Sequence, residues 1–171
     1  MKKCWRIGLC LFCFCAVTIA ATARDDDEVV LRTSLSGANE TPPINTPATG
    51  RFHATIHADG MIDFTLTYSD LSTLPTQSHI HFAQRNVAGG VMIFLCGGGG
   101  QPACPTATSG TITGTITGAN VVGPAAQGVG AGDLASALRI IVGQGEGYAN
   151  LHSTKFPTGE IRGQVNVRRE D

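Results

Sequence analysis

Residues 51–69 read RFHATIHADGMIDFTLTYS. Phe52, Ala54 and Ile56 alternate with His53, Thr55 and His57, and Ile62, Phe64, Leu66 and Tyr68 alternate with Asp63, Thr65 and Thr67. Alternation with a period of two puts the apolar set on one face of an extended chain and the polar set on the other. Asp59-Gly60 between the two runs is the dipeptide that a tight hairpin favours. Residues 51–69 are therefore expected to form an antiparallel hairpin with one face on a core.

The same period continues on both sides. Leu31, Thr33 and Leu35 alternate with Arg32, Ser34 and Ser36, and a turn-rich segment from Gly37 to Gly50 follows. Strands are expected at Gln77–Ala83 and Val91–Leu95, the second apolar throughout and so read as buried. Thr111, Thr113, Thr115 and Thr117 alternate with Ile112, Gly114 and Ile116, a pattern suited to a half-exposed strand. Residues 97–108 read as a glycine-rich loop and 118–132 as a loop with little persistent structure. Asp133 is an N-cap candidate for one short helix over about 133–142, ending at Gly143. Two further strands are expected near 147–153 and 160–167. Many short strands and one helix predict an all-β domain, a sandwich or barrel.

The N-terminus reads as a secretory signal peptide over residues 1–23. Lys2, Lys3 and Arg6 precede an apolar run from Ile7 to Ala20, and Ala21-Thr22-Ala23 offers a cleavage site. The run is short for a membrane span, and Asp25, Asp26, Asp27 and Glu28 follow close behind. Cys10, Cys13 and Cys15 lack the small-residue pair of a lipid-attachment signal. Export predicts a secreted or periplasmic protein with no membrane segment after cleavage. Removal of 23 of the 171 residues leaves 148, one domain with a real core. Nine basic and thirteen acidic residues then remain, a balance of −4 with no basic patch for phosphates. Nucleic acid is not an expected partner.

Two cysteines remain after cleavage, in Cys96-Gly-Gly-Gly-Gly-Gln-Pro-Ala-Cys104. An oxidising compartment favours a disulfide across this loop. Free thiols or a metal or redox pair are the alternatives, though the spacing is not CxxC.

His79-Ile80-His81 is the main chemical signal. Residues i and i+2 of a strand face the same way, about 7 Å apart at the backbone. That separation suits two ligands of one metal, and His152 is the candidate third. Imidazoles suit copper or zinc. The bland alternative is a polar strand face bonded to backbone or water. His53 and His57 are four residues apart and read as surface residues. Glu160 and Glu40 read as surface charges or local ion pairs. No nucleophile elbow, phosphate loop, HExxH or dinucleotide fingerprint is present, so no catalytic residue or organic cofactor is assigned. Asn39-Glu40-Thr41 fits an N-glycosylation sequon, relevant only in a eukaryotic secretory route.

Several segments together resemble one family. Leu35-Ser36-Gly37-Ala38-Asn39-Glu40-Thr41-Pro42-Pro43 with Ala48-Thr49-Gly50 resembles the opening of the CHRD domain, named after chordin. Ser78-His79-Ile80-His81 is similar to its central histidine motif, and Tyr148-Ala149-Asn150-Leu151-His152-Ser153 to its second. Phe156-Pro157-Thr158-Gly159-Glu160-Ile161-Arg162-Gly163-Gln164 resembles its closing signature. The resemblance spans residues 29–167. It implies an extracellular β-sandwich, immunoglobulin-like or superoxide-dismutase-like. The growth-factor antagonism of chordin is not implied for a chain with one such domain. Phe82-Ala83-Gln84 stands where the family often has Gly-Pro, and the Cys96–Cys104 loop looks like an insertion. The His-x-His strand is also similar to that of copper–zinc superoxide dismutase, but three histidines and no zinc loop fall short of that site. Three expectations result. The first is an exported, non-catalytic module that binds an unidentified protein or small ligand or serves a structural role. The second is a copper or zinc protein using His79, His81 and His152. The third is an enzyme of a class the sequence does not name, for which a pocket holding Glu160 beside a histidine would speak.

Overall fold

The computed structural model describes residues 28–168. The signal peptide expected over residues 1–23 lies outside them. The strands are β1 (Val29–Ser36), β2 (Thr49–Ile56), β3 (Ile62–Ser69), β4 (Pro75–Phe82), β5 (Gly90–Cys96), β6 (Gly110–Ile116), β7 (Gly147–Ser153), β8 (Ile161–Gln164) and β9 (Asn166–Val167). They form one sheet in the order β5-β4-β7-β8-β1-β2-β3-β6, with β9 paired to β1. Every pairing between them is antiparallel. The sheet curls until its edge strands β5 and β6 approach each other, a nearly closed all-β fold of the sandwich-like kind expected.

The core lies inside that curl. Phe52, Phe64 and Leu66 from one half of the sheet share a cluster with Ile80, Ile93, Leu151 and Ile161 from the other. The hairpin of residues 51–69 forms in the expected register, Phe52 opposite Leu66 and Ala54 opposite Phe64. Along β3 the burial alternates as the sequence does, with Ile62, Phe64, Leu66 and Tyr68 inside. Each such buried side chain contributes on the order of 1.5–3 kcal/mol.

Three segments differ from expectation. The helix is a short α1 (Leu134–Leu138), capped by Asp133 accepting from Ser136 N–H, that continues as a π-helix over Arg139–Gln144. The wider turn ends at Gly145 in the left-handed region, with Ile140 and Ile141 both buried. Residues 118–132 are more ordered than a plain loop, with 3-10 turns at Gly118–Asn120 and Ala125–Gln127 and with Val121 and Val129 in the core. The final strand breaks at Val165, whose N–H still bonds Gly147 O beside the Tyr148–Gln164 pair and whose side chain is buried, while β9 beyond it pairs with β1. Among the described residues no helix is long and apolar enough to cross a membrane.

Cys96 and Cys104 form the expected disulfide, which leaves neither sulfur as a free thiol or a thiolate ligand.

Candidate metal centre

All seven residues of β7 and all four of β8 are buried. A strand with one face in the core and one in water cannot do this. Ala149 and Leu151 face the core, so Tyr148, Asn150 and His152 lie on the opposite face. Loops cover that second face. Glu40 reaches it from the segment after β1, with Asn150 Nδ2 donating to Glu40 Oε1 at 2.6 Å. Gln84 and Val87 in the loop after β4 accept from Arg162 Nη2 at 3.2 and 2.8 Å. Pro157 closes the far end by accepting from His152 Nδ1 at 3.0 Å. Gly159, at φ 128°, packs so closely on Glu40 and Asn150 that a side chain there has no room.

His79, His81 and His152 meet on this covered face. Their ligating nitrogens all lie within 4.8 Å of one another, and all three residues are buried. The strand pairing explains the meeting. His79 pairs with Asn150 and Gln77 with His152, so His152 is the diagonal neighbour of His79 across β4 and β7. The ring centroids of His79 and His152 are 4.9 Å apart, and those of His79 and His81 5.3 Å.

Hydrogen bonds fix the tautomers. A carbonyl only accepts, so His81 Nδ1 carries the proton it donates to Gly89 O at 3.0 Å, leaving Nε2 with its lone pair. His152 is held in the same way by Pro157, which leaves its Nε2 as an acceptor 3.1 Å from His79 Nδ1. The Nε2 atoms of His79 and His81 are buried with no hydrogen-bond partner. Orphaned buried polar atoms are uncommon because each costs about 1–3 kcal/mol.

Burial also sets the charge state. It pushes His79 down to about 3, with His152 and His81 adding to the shift. It pushes His81 down to about 4, against the Gly89 bond and with help from His152 and Arg162. His152 is lowered by burial too, against its bond to Pro157. All three rings are therefore neutral at pH 7, the form that binds metal. A metal about 2.0–2.1 Å from each nitrogen needs nitrogen separations of about 3.3–3.6 Å. The nitrogens, within 4.8 Å of one another, stand at most about an ångström wider than that.

The rings are walled in. Phe94 meets His79 edge-on at 4.4 Å. Tyr148 lies flat on His81, with centroids 4.7 Å apart and planes 4° from parallel, and the Arg162 guanidinium sits 3.5 Å from the Tyr148 ring. Tyr148 Oη also accepts from Gly89 N–H at 3.2 Å, so Gly89 ties the Tyr148 and His81 rings together. A Cβ on Gly89 would collide with the Phe82 backbone oxygen.

The two acidic residues are not surface charges. Glu160 is fully buried and accepts from Thr46 Oγ1 at 2.7 Å and Ser72 N–H at 2.8 Å. Burial raises its pKa, but hydrogen bonds from Ser153, Ser72 and Thr46 outweigh that and leave it below its ordinary value. Glu40 is buried, and burial raises its pKa from 4.5 to about 7 despite Arg162 and Asn150. His53 is exposed as expected. His57 lies between Glu28 (2.9 Å) and Asp63 (3.1 Å), remote in sequence and strand position from the cluster. Residue-type spacing did not single out Asn150, Tyr148 or Arg162 as supports. The signal was the regular placement of Tyr148, Asn150 and His152 between apolar Ala149 and Leu151.

An all-antiparallel β domain with a buried trio of imidazoles is the class that fold and site define. The CHRD domain family matches residues 31–165, nearly the whole described domain, and the chain belongs to that family. No curated protein and no solved structure matches it.

Proposed function

We propose that this CHRD domain is an exported, non-catalytic metal-binding module that holds copper or zinc on His79, His81 and His152. The observation that carries the reading is the convergence of three neutral imidazoles within 4.8 Å, two of them with buried Nε2 atoms that nothing else satisfies. A cation would satisfy those lone pairs and stabilise the fold by mass action, by about 2.7 kcal/mol at a hundredfold excess over Kd. The disulfide and the family membership support an extracytoplasmic location, as does the leader-like segment 1–23. The lack of an assembled nucleophile, base and oxyanion site among the described residues favours a binding role over turnover.

Isothermal titration of the exported protein with zinc, and with copper, tests the reading. Wild type is expected to take up one equivalent and His81→Ala to lose it. Equal uptake by both proteins rejects the site. Amino-terminal sequencing of the exported protein, expected to begin at Arg24, tests the route.

A further inference from the structure

The proposed centre has a charge problem that its surroundings make specific. Three imidazoles donate lone pairs but no negative charge, and the converging metal-ligating group among the described residues contains no carboxylate or thiolate. A bound ion therefore keeps its whole charge in a buried place. The cost of taking an ion out of water grows with the square of its charge, so a divalent ion costs about four times a monovalent one of similar size.

Arg162 adds to the discrimination. Its guanidinium is 3 % exposed and stacks 3.5 Å from the Tyr148 ring, which lies flat on His81. β7 runs between β4 and β8, so Tyr148 stands between His81 and Arg162. Arg162 is locked there by the carbonyls of Gln84 and Val87, with Thr41 Oγ1 as a further contact at 3.4 Å. A fixed cation repels a divalent ion twice as strongly as a monovalent one at the same place. Glu40 is the carboxyl on this side, and burial raises its pKa to about 7, which favours its neutral form and weakens its offset of Arg162.

Coordination points the same way. Zinc in protein sites is four-coordinate, and divalent copper prefers tetragonal surroundings. Here the ring of Phe94 stands against His79 and the ring of Tyr148 against His81, which leaves apolar walls around a three-nitrogen set.

Resting on the reading of this cluster as a metal site, we propose that Arg162, held against His81 through Tyr148, makes it a centre for monovalent copper. Arg162 and Tyr148 are positioning residues that select the valence of the ion, not ligands.

The experiment uses the exported protein. Affinity for Cu(I) is read by competition with bicinchoninate under anaerobic reducing conditions, Zn(II) affinity by chelator competition, and the copper potential by redox titration. Wild type is expected to bind Cu(I) more tightly than Zn(II). Arg162→Gln is expected to reduce the Cu(I) preference over Cu(II) about tenfold, a fall of about 59 mV for one electron. Arg162→Lys, which retains the positive charge, is expected to restore most of the preference, which a merely structural role would not predict. A folded Arg162→Gln with the wild-type potential overturns the inference while the metal site stands. So does wild type binding Zn(II) more tightly than Cu(I), a comparison that decides even if Arg162→Gln does not fold. Wild type that binds none of these ions removes the metal reading itself.

Discussion

The two halves of the sheet are built on opposite rules. In β2, β3 and β6 the core face is apolar, while the other face carries Arg51, His53, Asp63, Thr67, Thr111, Thr113 and Thr115 in solvent. In β4, β7 and β8 the second face is equally polar, with His79, His81, Tyr148, Asn150, His152, Arg162 and Gln164, yet it is buried under loops. Polar groups cost little where water satisfies them. Where loops exclude water, each needs a partner from the protein. The first half is a scaffold that tolerates change. The second is a polar network in which the histidines, their supports and the covering loops depend on one another.

Acid should break that contrast most strongly. In chelator-treated protein the folded histidines bind fewer protons than those of the unfolded chain, which titrate near 6.5. Stability is then complete above pH 6.5 and is lost as pH falls through the folded values of about 3 for His79 and about 4 for His81. The loss is on the order of several kcal/mol. Urea melts from pH 7.5 to 4 should show the loss in wild type and much less of it in a variant with both β4 histidines replaced by asparagine. An unchanged acid slope in that variant would contradict the assignment of the effect to the covered face.

Glu40 belongs to the same face and works in the other direction. Its folded carboxyl holds a proton to about pH 7, whereas its ordinary value is 4.5. The folded state therefore binds more protons between these values, and stability falls as pH rises from 4.5 to 7, by on the order of 3 kcal/mol. Glu40→Gln should gain stability relative to wild type by about that amount between pH 4.5 and 8. A difference that does not change with pH would mean Glu40 is ionised in the folded protein.

A matched pair of truncations compares the halves directly. Asn150→Ala removes the donor to Glu40 Oε1 and to Ile161 O, and should cost about 1–3 kcal/mol in denaturant melts. Thr65→Ala, on the wet face of β3, should stay within about 0.5 kcal/mol. Similar costs at both positions would erase the distinction between scaffold and network.

The smallest effect is expected at His57, on the exposed face. Its bonds to Glu28 and Asp63 raise its pKa above 6.5. The folded state binds the extra proton, so its contribution is present below pH 6.5 and is lost as pH rises through the raised value. His57→Gln should lower the melting temperature slightly at pH 6 and not at pH 8.5.

The first half could be read directly because period-two patterning and an Asp-Gly turn report on water, and water is where that face lies. His79 and His81 were placed on one face by the same rule. Patterning misleads for Glu40 and Glu160, since a polar residue beside an apolar one looks the same whether its face meets solvent or a covering loop. The π-helical end of the helix and the break at Val165 were equally hidden. Both depend on which backbone groups find partners at Gly145 and Gly147.

The amino-acid order alone determined the all-β character, the family, the hairpin of 51–69 and the two imidazoles one turn of pleat apart, because each follows from local periodicity or a contiguous motif. Tertiary structure decided that β7 lies beside β4 in a register that brings His152 diagonally against His79, and that loops seal this face. Pairing between segments some seventy residues apart is settled by the burial of a shared core, and no local pattern encodes it.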